Sequence, residues 1–279
     1  MGQFKQVDVF TSTKFQGNPV AVFFEADNLS TQEMAKIANW TNLSETTFVL
    51  KPSSNKADYK LRIFTPGSEL PFAGHPTIGS CHALLEAGLI TPQTGKIIQE
   101  CGAGLVELTV TDDDISFKLP YYKHSKFDDN EQVLSHLGLN ENQVLKTVLV
   151  DDGPTWLTFQ LKTAQDVLNL NPDFSSLANF SATSNITGID VFGVHEDGSY
   201  EARNFAPADG VNEDPVCGSG AGAVGSVLAE EYGITGEIKI KQGCKVKRNG
   251  QLKVVIEQVE GKYQVNVGGK AVTCINGTY

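Results

Sequence analysis

The chain has 279 residues, 40% of them hydrophobic and 20% charged, with a formal net charge of −11. That length builds one large domain or two ordinary ones around a sizeable core. The acidic balance argues against a phosphate-reading nucleic-acid surface and against docking on an anionic membrane. It leaves a small anionic substrate open, because a helix terminus binds an anion locally. The N-terminal stretch MGQFKQVDVFTSTKF has no unbroken apolar segment of signal-peptide length, and no run of about eighteen apolar residues occurs. Cys81, Cys101, Cys217, Cys244 and Cys274 show no CxxC spacing. Free thiols in a cytoplasmic protein are the expectation.

In chain order, Phe4, Val7 and Val9 predict an opening strand, and Val20 and Val22 a second one beyond the turn signal Gly17-Asn18-Pro19. Ser30 and Glu33 spell an S-x-x-E capping box, so a helix is expected through Met34, Ile37 and Ala38. Strands follow at 46–50 and 60–64, then a Pro-rich turn and a second helix after His75. The corresponding stretch 215–229 contains no charged residue and is mostly Gly, Ala, Ser and Val. A helix apolar all round must be buried all round. Its glycines cost about 1 kcal/mol each relative to Ala in a helix interior, so it persists only if strands such as 251–257 and 262–267 wrap it closely.

The chain repeats itself. YKLRIFTP at 59–66 returns as YEARNFAP at 200–207, an offset of 141 (203 minus 62). IANW at 37–40 answers LANF at 177–180, and HPTIGS at 75–80 answers DPVCGS at 214–219, at offsets of 140 and 139. The halves are about 1–119 and 145–267, joined by a polar link at 120–144. As domains this gives 1–119 and 120–267, with the unpaired tail 268–279 free to return to the first. The fold expected is α+β: two pseudo-symmetric β-rolls, each around a central helix, with the active site in the cleft between them. Gly220, Gly222 and Gly225 spell G-x-G-x-x-G, but no apolar strand leads in and basic KVKR stands where an acid is needed, so close packing is the reading. No zinc spacing is present, and no metal is expected.

In a duplicated scaffold, residues that keep the fold occur in both halves and a catalytic one in a single half. Glu45, in NLSETTF, faces SATSNITG in the second copy, which has no acid. A carboxylate in a partly apolar site has its pKa raised toward neutrality, which suits proton transfer. His75 and Asp214 take the same repeat position at offset 139, each before a proline that opens a buried helix. The helix starts Thr77-Ile78-Gly79 and Cys217-Gly218-Ser219 are then expected to present free N–H groups to a carboxylate.

These residues resemble the phenazine-biosynthesis (PhzF-like) isomerase family along the whole chain: FQGNPVAV at 15–22, NLSETTF at 42–48, RIFTPGSELPFAGHPTIGS at 62–80 and NEDPVCGSG at 212–220. The resemblance implies a fold similar to diaminopimelate epimerase and proline racemase. It implies a cofactor-free isomerase, whose phenazine-pathway members act on trans-2,3-dihydro-3-hydroxyanthranilate, and a homodimer. Carried over, the acid/base glutamate is Glu45, with His75 and Asp214 beside it in the catalytic set. Asn18, Ser44, Gly74, Gly218 and Ser219 are the substrate-binding candidates, for a small anionic substrate. Two alternatives stand. One is an amino-acid racemase or epimerase, for which Cys217 lacks the opposing thiol it needs. The other is a catalytically idle binding protein of the same fold.

Overall fold

The computed structural model describes residues 2–112, 114–127 and 130–279. Its elements begin with β1 (Gln3–Val9), β2 (Asn18–Phe23), α1 (Thr31–Thr41), β3 (Glu45–Leu50), β4 (Tyr59–Phe64), β5 (Glu69–Leu70), α2 (Gly74–Glu86), β6 (Lys96–Cys101), β7 (Gly104–Val110) and β8 (Ile115–Lys118). They continue with β9 (Lys123–Ser125), α3 (Glu131–Leu137), β10 (Val144–Asp151), β11 (Thr155–Leu161), α4 (Ala164–Leu168), α5 (Phe174–Ser184), β12 (Gly188–Val194), β13 (Tyr200–Ala206) and β14 (Val211–Asp214). Last come α6 (Gly218–Tyr232), β15 (Gly236–Gln242), β16 (Gly250–Val259), β17 (Lys262–Gly269) and β18 (Ala271–Thr278). Contacts divide the chain into two compact units, Met1–Lys118 with Gly268–Tyr279, and Leu119–Val267.

The first unit pairs β1 with β2 antiparallel, β2 with β3 parallel, β3 with β4 antiparallel, β4 with β6 parallel and β6 with β7 antiparallel. The second repeats that succession through β10, β11, β12, β13, β15 and β16. The tail strand β18 pairs along the whole of β1. The capping box at Ser30 and Glu33 is formed, and α1 ends on left-handed Asn42. Its inner face carries Met34 and Ala38 into a core with Phe23, Phe48 and Phe64.

Each unit winds its strands about one buried helix. α2 packs on β1, β2, β3, β8 and β18, and α6 on β10, β11, β13 and β16. α6 starts at Gly218, later than the expected 215, because Asp214 closes β14 and Cys217 is the N-cap. The three glycines of the G-x-G-x-x-G run are packing residues: a Cβ would lie 2.1 Å from the Asn204 amide at Gly220, 2.8 Å from Leu119 at Gly222 and 2.7 Å from Val254 at Gly225. The stretch 120–144 is more than the polar link expected. It supplies β9 and α3, and Val133, Leu134 and Leu137 enter the second unit's core.

β3 and β12 enter their units identically, Glu45 opposite Val20 and Gly188 opposite Trp156. The second copy has no room for a side chain there: a Cβ on Gly188 would lie 2.1 Å from the Phe205 carbonyl oxygen and 3.0 Å from the Trp156 ring. Backbone does not yield as a flexible side chain does, so Gly188→Ala is expected to lower the unfolding free energy by about 1–3 kcal/mol. Urea denaturation measures it, and an unchanged midpoint would show that the strand has space after all.

Candidate active site

Glu45 owes its place to the end of α1. Asn42 turns left-handed (φ 53°), Leu43 packs into the core below, and the chain enters β3 with Glu45 as its first residue. The strand's parallel partner β2 opens with fully buried Asn18, whose Oδ1 accepts a long hydrogen bond from Ser44 Oγ at 3.5 Å. His75 lies in the first turn of α2 and is 7% exposed. Its Nε2 is 3.4 Å from Glu45 Oε2, an ion-pair distance at which that oxygen, itself buried, takes no hydrogen bond among the described residues. Burial pushes the Glu45 carboxyl up to about 7, and the Ser44 hydroxyl opposes this weakly. Asn18, Ser44, Glu45 and His75 are thus brought together within one unit. Gly74 precedes His75 at the helix start, and a Cβ there would lie 2.7 Å from the Phe117 ring, so packing alone demands glycine.

The second unit gathers Asp214, Cys217, Gly218 and Ser219 at the entry to α6. Asp214 Oδ1 accepts from the Val216 N–H at 2.9 Å. The Gln242 side chain staples this turn: its amide donates to the Asp214 carbonyl at 3.0 Å and its Oε1 accepts from the Cys217 N–H at 3.1 Å. The Cys217 sulfur accepts from the Gly220 N–H at 3.3 Å, and Ser219 Oγ accepts from Trp156 Nε1 at 3.1 Å. Burial first, and then the Asp214 charge, push the Cys217 thiol well up, so it is no thiolate nucleophile at neutral pH. A surface groove of about 710 Å³, bordered by Phe174, Arg203, Glu213 and Lys245, contains none of these residues.

Two expectations are corrected. Thr77, Ile78 and Gly79 do not offer free N–H groups, because α2 begins at Gly74 and the Thr77 N–H already donates to the Ala73 carbonyl at 3.3 Å. The free donors of a helix are those of its first turn, which here contains Gly74 and His75. His75 and Asp214 are also not repeat mates. The helices start at 74 and 218, an offset of 144 (218 minus 74), which matches His75 to Ser219 and the N-cap Ala73 to Cys217. Strand register agrees, since Leu70 opposes Ile63 where Asp214 opposes Asn204. Each of Glu45, His75 and Asp214 is therefore present in one unit only. Gln242 and Trp156 touch the helix entry without being among the residues that the sequence singles out. For Gln242 a signal existed, because Ile238 and Ile240 put it on the inward face of β15.

The buried Glu45 has a consequence for stability. Its folded carboxyl holds a proton more tightly than the unfolded one, so the stabilisation is complete below about pH 4.5 and is lost as pH rises through about 7. The loss is on the order of 3 kcal/mol. Glu45→Gln lacks this titration. Its unfolding free energy, measured by denaturant at a series of pH values, is expected to gain on the parent's over that window; parallel curves would show an ordinary Glu45.

Residues 7–277 match the model of the PhzC-PhzF family, described as phenazine biosynthesis-like protein. A Schizosaccharomyces pombe protein named antisense-enhancing sequence 1 is 54% identical over 287 residues, covering 98% of this chain and 97% of its own length. A trans-2,3-dihydro-3-hydroxyanthranilate isomerase of Pseudomonas chlororaphis is 34% identical over 284 residues, covering 98% and 97%. The crystal structure of a Bacillus anthracis PhzF-family protein matches with a TM-score of 0.89 at 26% identity, covering 100% of this chain and 98% of that one. A hydroxyproline epimerase of Agrobacterium vitis, with a TM-score of 0.65 at 14% identity over 99% of this chain and 91% of its own, shares the fold alone. The chain therefore belongs to the phenazine biosynthesis-like family, and it is an isomerase.

Proposed function

We propose that the chain is a cofactor-free isomerase in which Glu45 moves a proton between two carbons of a small unsaturated carboxylate. The observation that carries this reading is the buried Glu45 carboxyl, poised at about 7 and 3.4 Å from His75 Nε2. A group with that pKa is present as base and as acid at neutral pH in comparable amounts, the condition under which one residue serves both halves of a proton transfer. As carboxylate, Glu45 takes a proton from one carbon while the C–H pair shifts into the adjacent π-system. As acid, it returns that proton at the far end. The double bond moves and the composition does not change. His75 is assigned to orient the carboxyl, and Asp214, Gly218 and Ser219 to hold the polar groups of the substrate, with Asn18, Ser44 and Gly74 lining the approach. A homodimer and a cytoplasmic location belong to the same proposal; no helix among the described residues is long and apolar enough to cross a membrane.

A two-thiol racemase is disfavoured by the positions that would carry the thiols. Cys217 is buried, caps α6 and has its thiol pushed well up, and its structural mate is Ala73. An idle binding protein is disfavoured by the cost of keeping an ionisable carboxyl buried beside His75 with no gain in packing. The Pseudomonas relative supplies a probe, trans-2,3-dihydro-3-hydroxyanthranilate, to be tried beside other cyclic unsaturated acids. With whichever acid the parent converts, Glu45→Gln is expected to lose about 10²–10⁴-fold in kcat with its melting transition intact. Turnover at the parental rate would overturn the mechanism.

A further inference from the structure

The second unit carries a row of polar side chains of which the proposed chemistry uses Asp214 alone. Thr158, Asp190, Asn204 and Asp214 lie side by side at one register on β11, β12, β13 and β14. Directly paired residues point to the same face of a sheet. The same register of the first unit reads Val22, Thr47, Ile63 and Leu70. There the sole polar member, Thr47, shares a hydrogen bond with Ser80 of α2 at 2.9 Å. By the rule that separates fold-keeping from working residues in a duplicated scaffold, the polar row belongs to function.

Three of its members are deeply buried: Asp190 and Asn204 are 0% exposed and Thr158 is 1%. Neither oxygen of Asp190 and neither polar atom of Asn204 makes a hydrogen bond of normal geometry; Thr158 and Asn204 favour the charged Asp190 carboxyl, and burial outweighs them. Asp152, 7% exposed, adds a second acid. Among the described residues no cation acts on Asp190 or Asp152. Burial away from any cation and beside a second acid favours the neutral form of a carboxyl. As a neutral acid it has one O–H to donate, and the amide oxygen of its cross-strand neighbour is the acceptor at hand. The Asn204 amide in turn fills the space under the first turn of α6, since a Cβ on Gly220 would lie 2.1 Å from Asn204 Nδ2.

We propose that Asp190 is a positioning residue: standing as the neutral acid, it donates to the Asn204 carboxamide and so fixes the floor on which the first turn of α6, with Gly218 and Ser219, rests. This deepens the proposed function, which assigns Gly218 and Ser219 to substrate. Its readouts need no substrate, so the failure of either reading is seen separately. Trp156 reports on the turn directly, because its indole N–H donates to Ser219 Oγ. The only other tryptophan, Trp40, is 85% exposed and is replaced by Phe to leave a single reporter.

In that background, Asp190→Asn keeps a neutral donor and is expected to retain parental Trp156 emission and slow amide exchange at 218–220, whereas Asp190→Ala shifts the emission and speeds that exchange. From about pH 5 to about pH 9, the folding constant of Asp190→Asn relative to the parent is expected to rise about tenfold per pH unit until Asp190 ionises in the folded state, one proton's worth. The double swap Asp190→Asn with Asn204→Asp restores the parental slope. Unchanged emission and exchange in Asp190→Ala would refute the positioning role. A relative folding constant independent of pH would refute the neutral acid. Should Asp190→Ala fail to fold, the Asn variant and the swap decide the matter through their slopes and their exchange at 218–220.

Discussion

The site depends on one largely buried carboxyl. A glutamate at the head of β3 would titrate in the ordinary acidic range if water reached it, and would then be a poor acid at neutral pH. Burial moves it to about 7. The burial is produced by ordinary elements: the left-handed end of α1, the parallel pairing of β2 with β3, and the first turn of α2, which brings His75 against it. Because the native state holds this proton at a cost near neutral pH, the rest of the unit has to supply the stability that Glu45 removes, and the cluster of Phe23, Phe48 and Phe64 with Met34 supports that strand directly.

Duplication shows where the scaffold is free and where it is committed. Both units keep the succession of strand pairings and the buried helix. They part at the head of the parallel strand, where Glu45 answers Gly188; at the helix start, where His75 answers Ser219; and along one sheet register, where Val22, Thr47, Ile63 and Leu70 answer Thr158, Asp190, Asn204 and Asp214. In the first unit a hydroxyl pair, Thr47 with Ser80, ties the helix to the sheet. In the second, glycines let the helix settle on an amide. The same architecture thus carries a glutamate beside a histidine in one copy and a glycine-started helix packed on an amide in the other.

Much of the fold was legible in the sequence because its signals are local. The Ser30–Glu33 box, the alternation in β1 and β2 and the uncharged glycine-rich helix each follow from residues a few positions apart. Matching the copies by a constant offset fails because the chain from Asn204 of β13 to its partner Asp214 of β14 is longer than that from Ile63 of β4 to its partner Leu70 of β5, so the motif HPTIGS falls on DPVCGS although the helices start five positions out of step with it. The partners of Cys217 and Ser219, Gln242 and Trp156, lie 25 and 63 residues away, and no local pattern links them. Asp190 left a trace, a single acid in the otherwise apolar strand GIDVFGV, and read in isolation that trace has no chemistry attached.

The claim that one carboxyl both removes and returns the proton is tested most directly by a single turnover in D₂O, with the deuterium content of the product read at the receiving carbon. A proton carried by Glu45 in a site closed over the substrate exchanges only in part before it is returned, so the product is expected to carry less than one deuterium at that carbon. Two bases, each in exchange with water, give complete labelling. Incomplete labelling that becomes lower as turnover is accelerated supports transfer by Glu45 alone; complete labelling in a single turnover would contradict it.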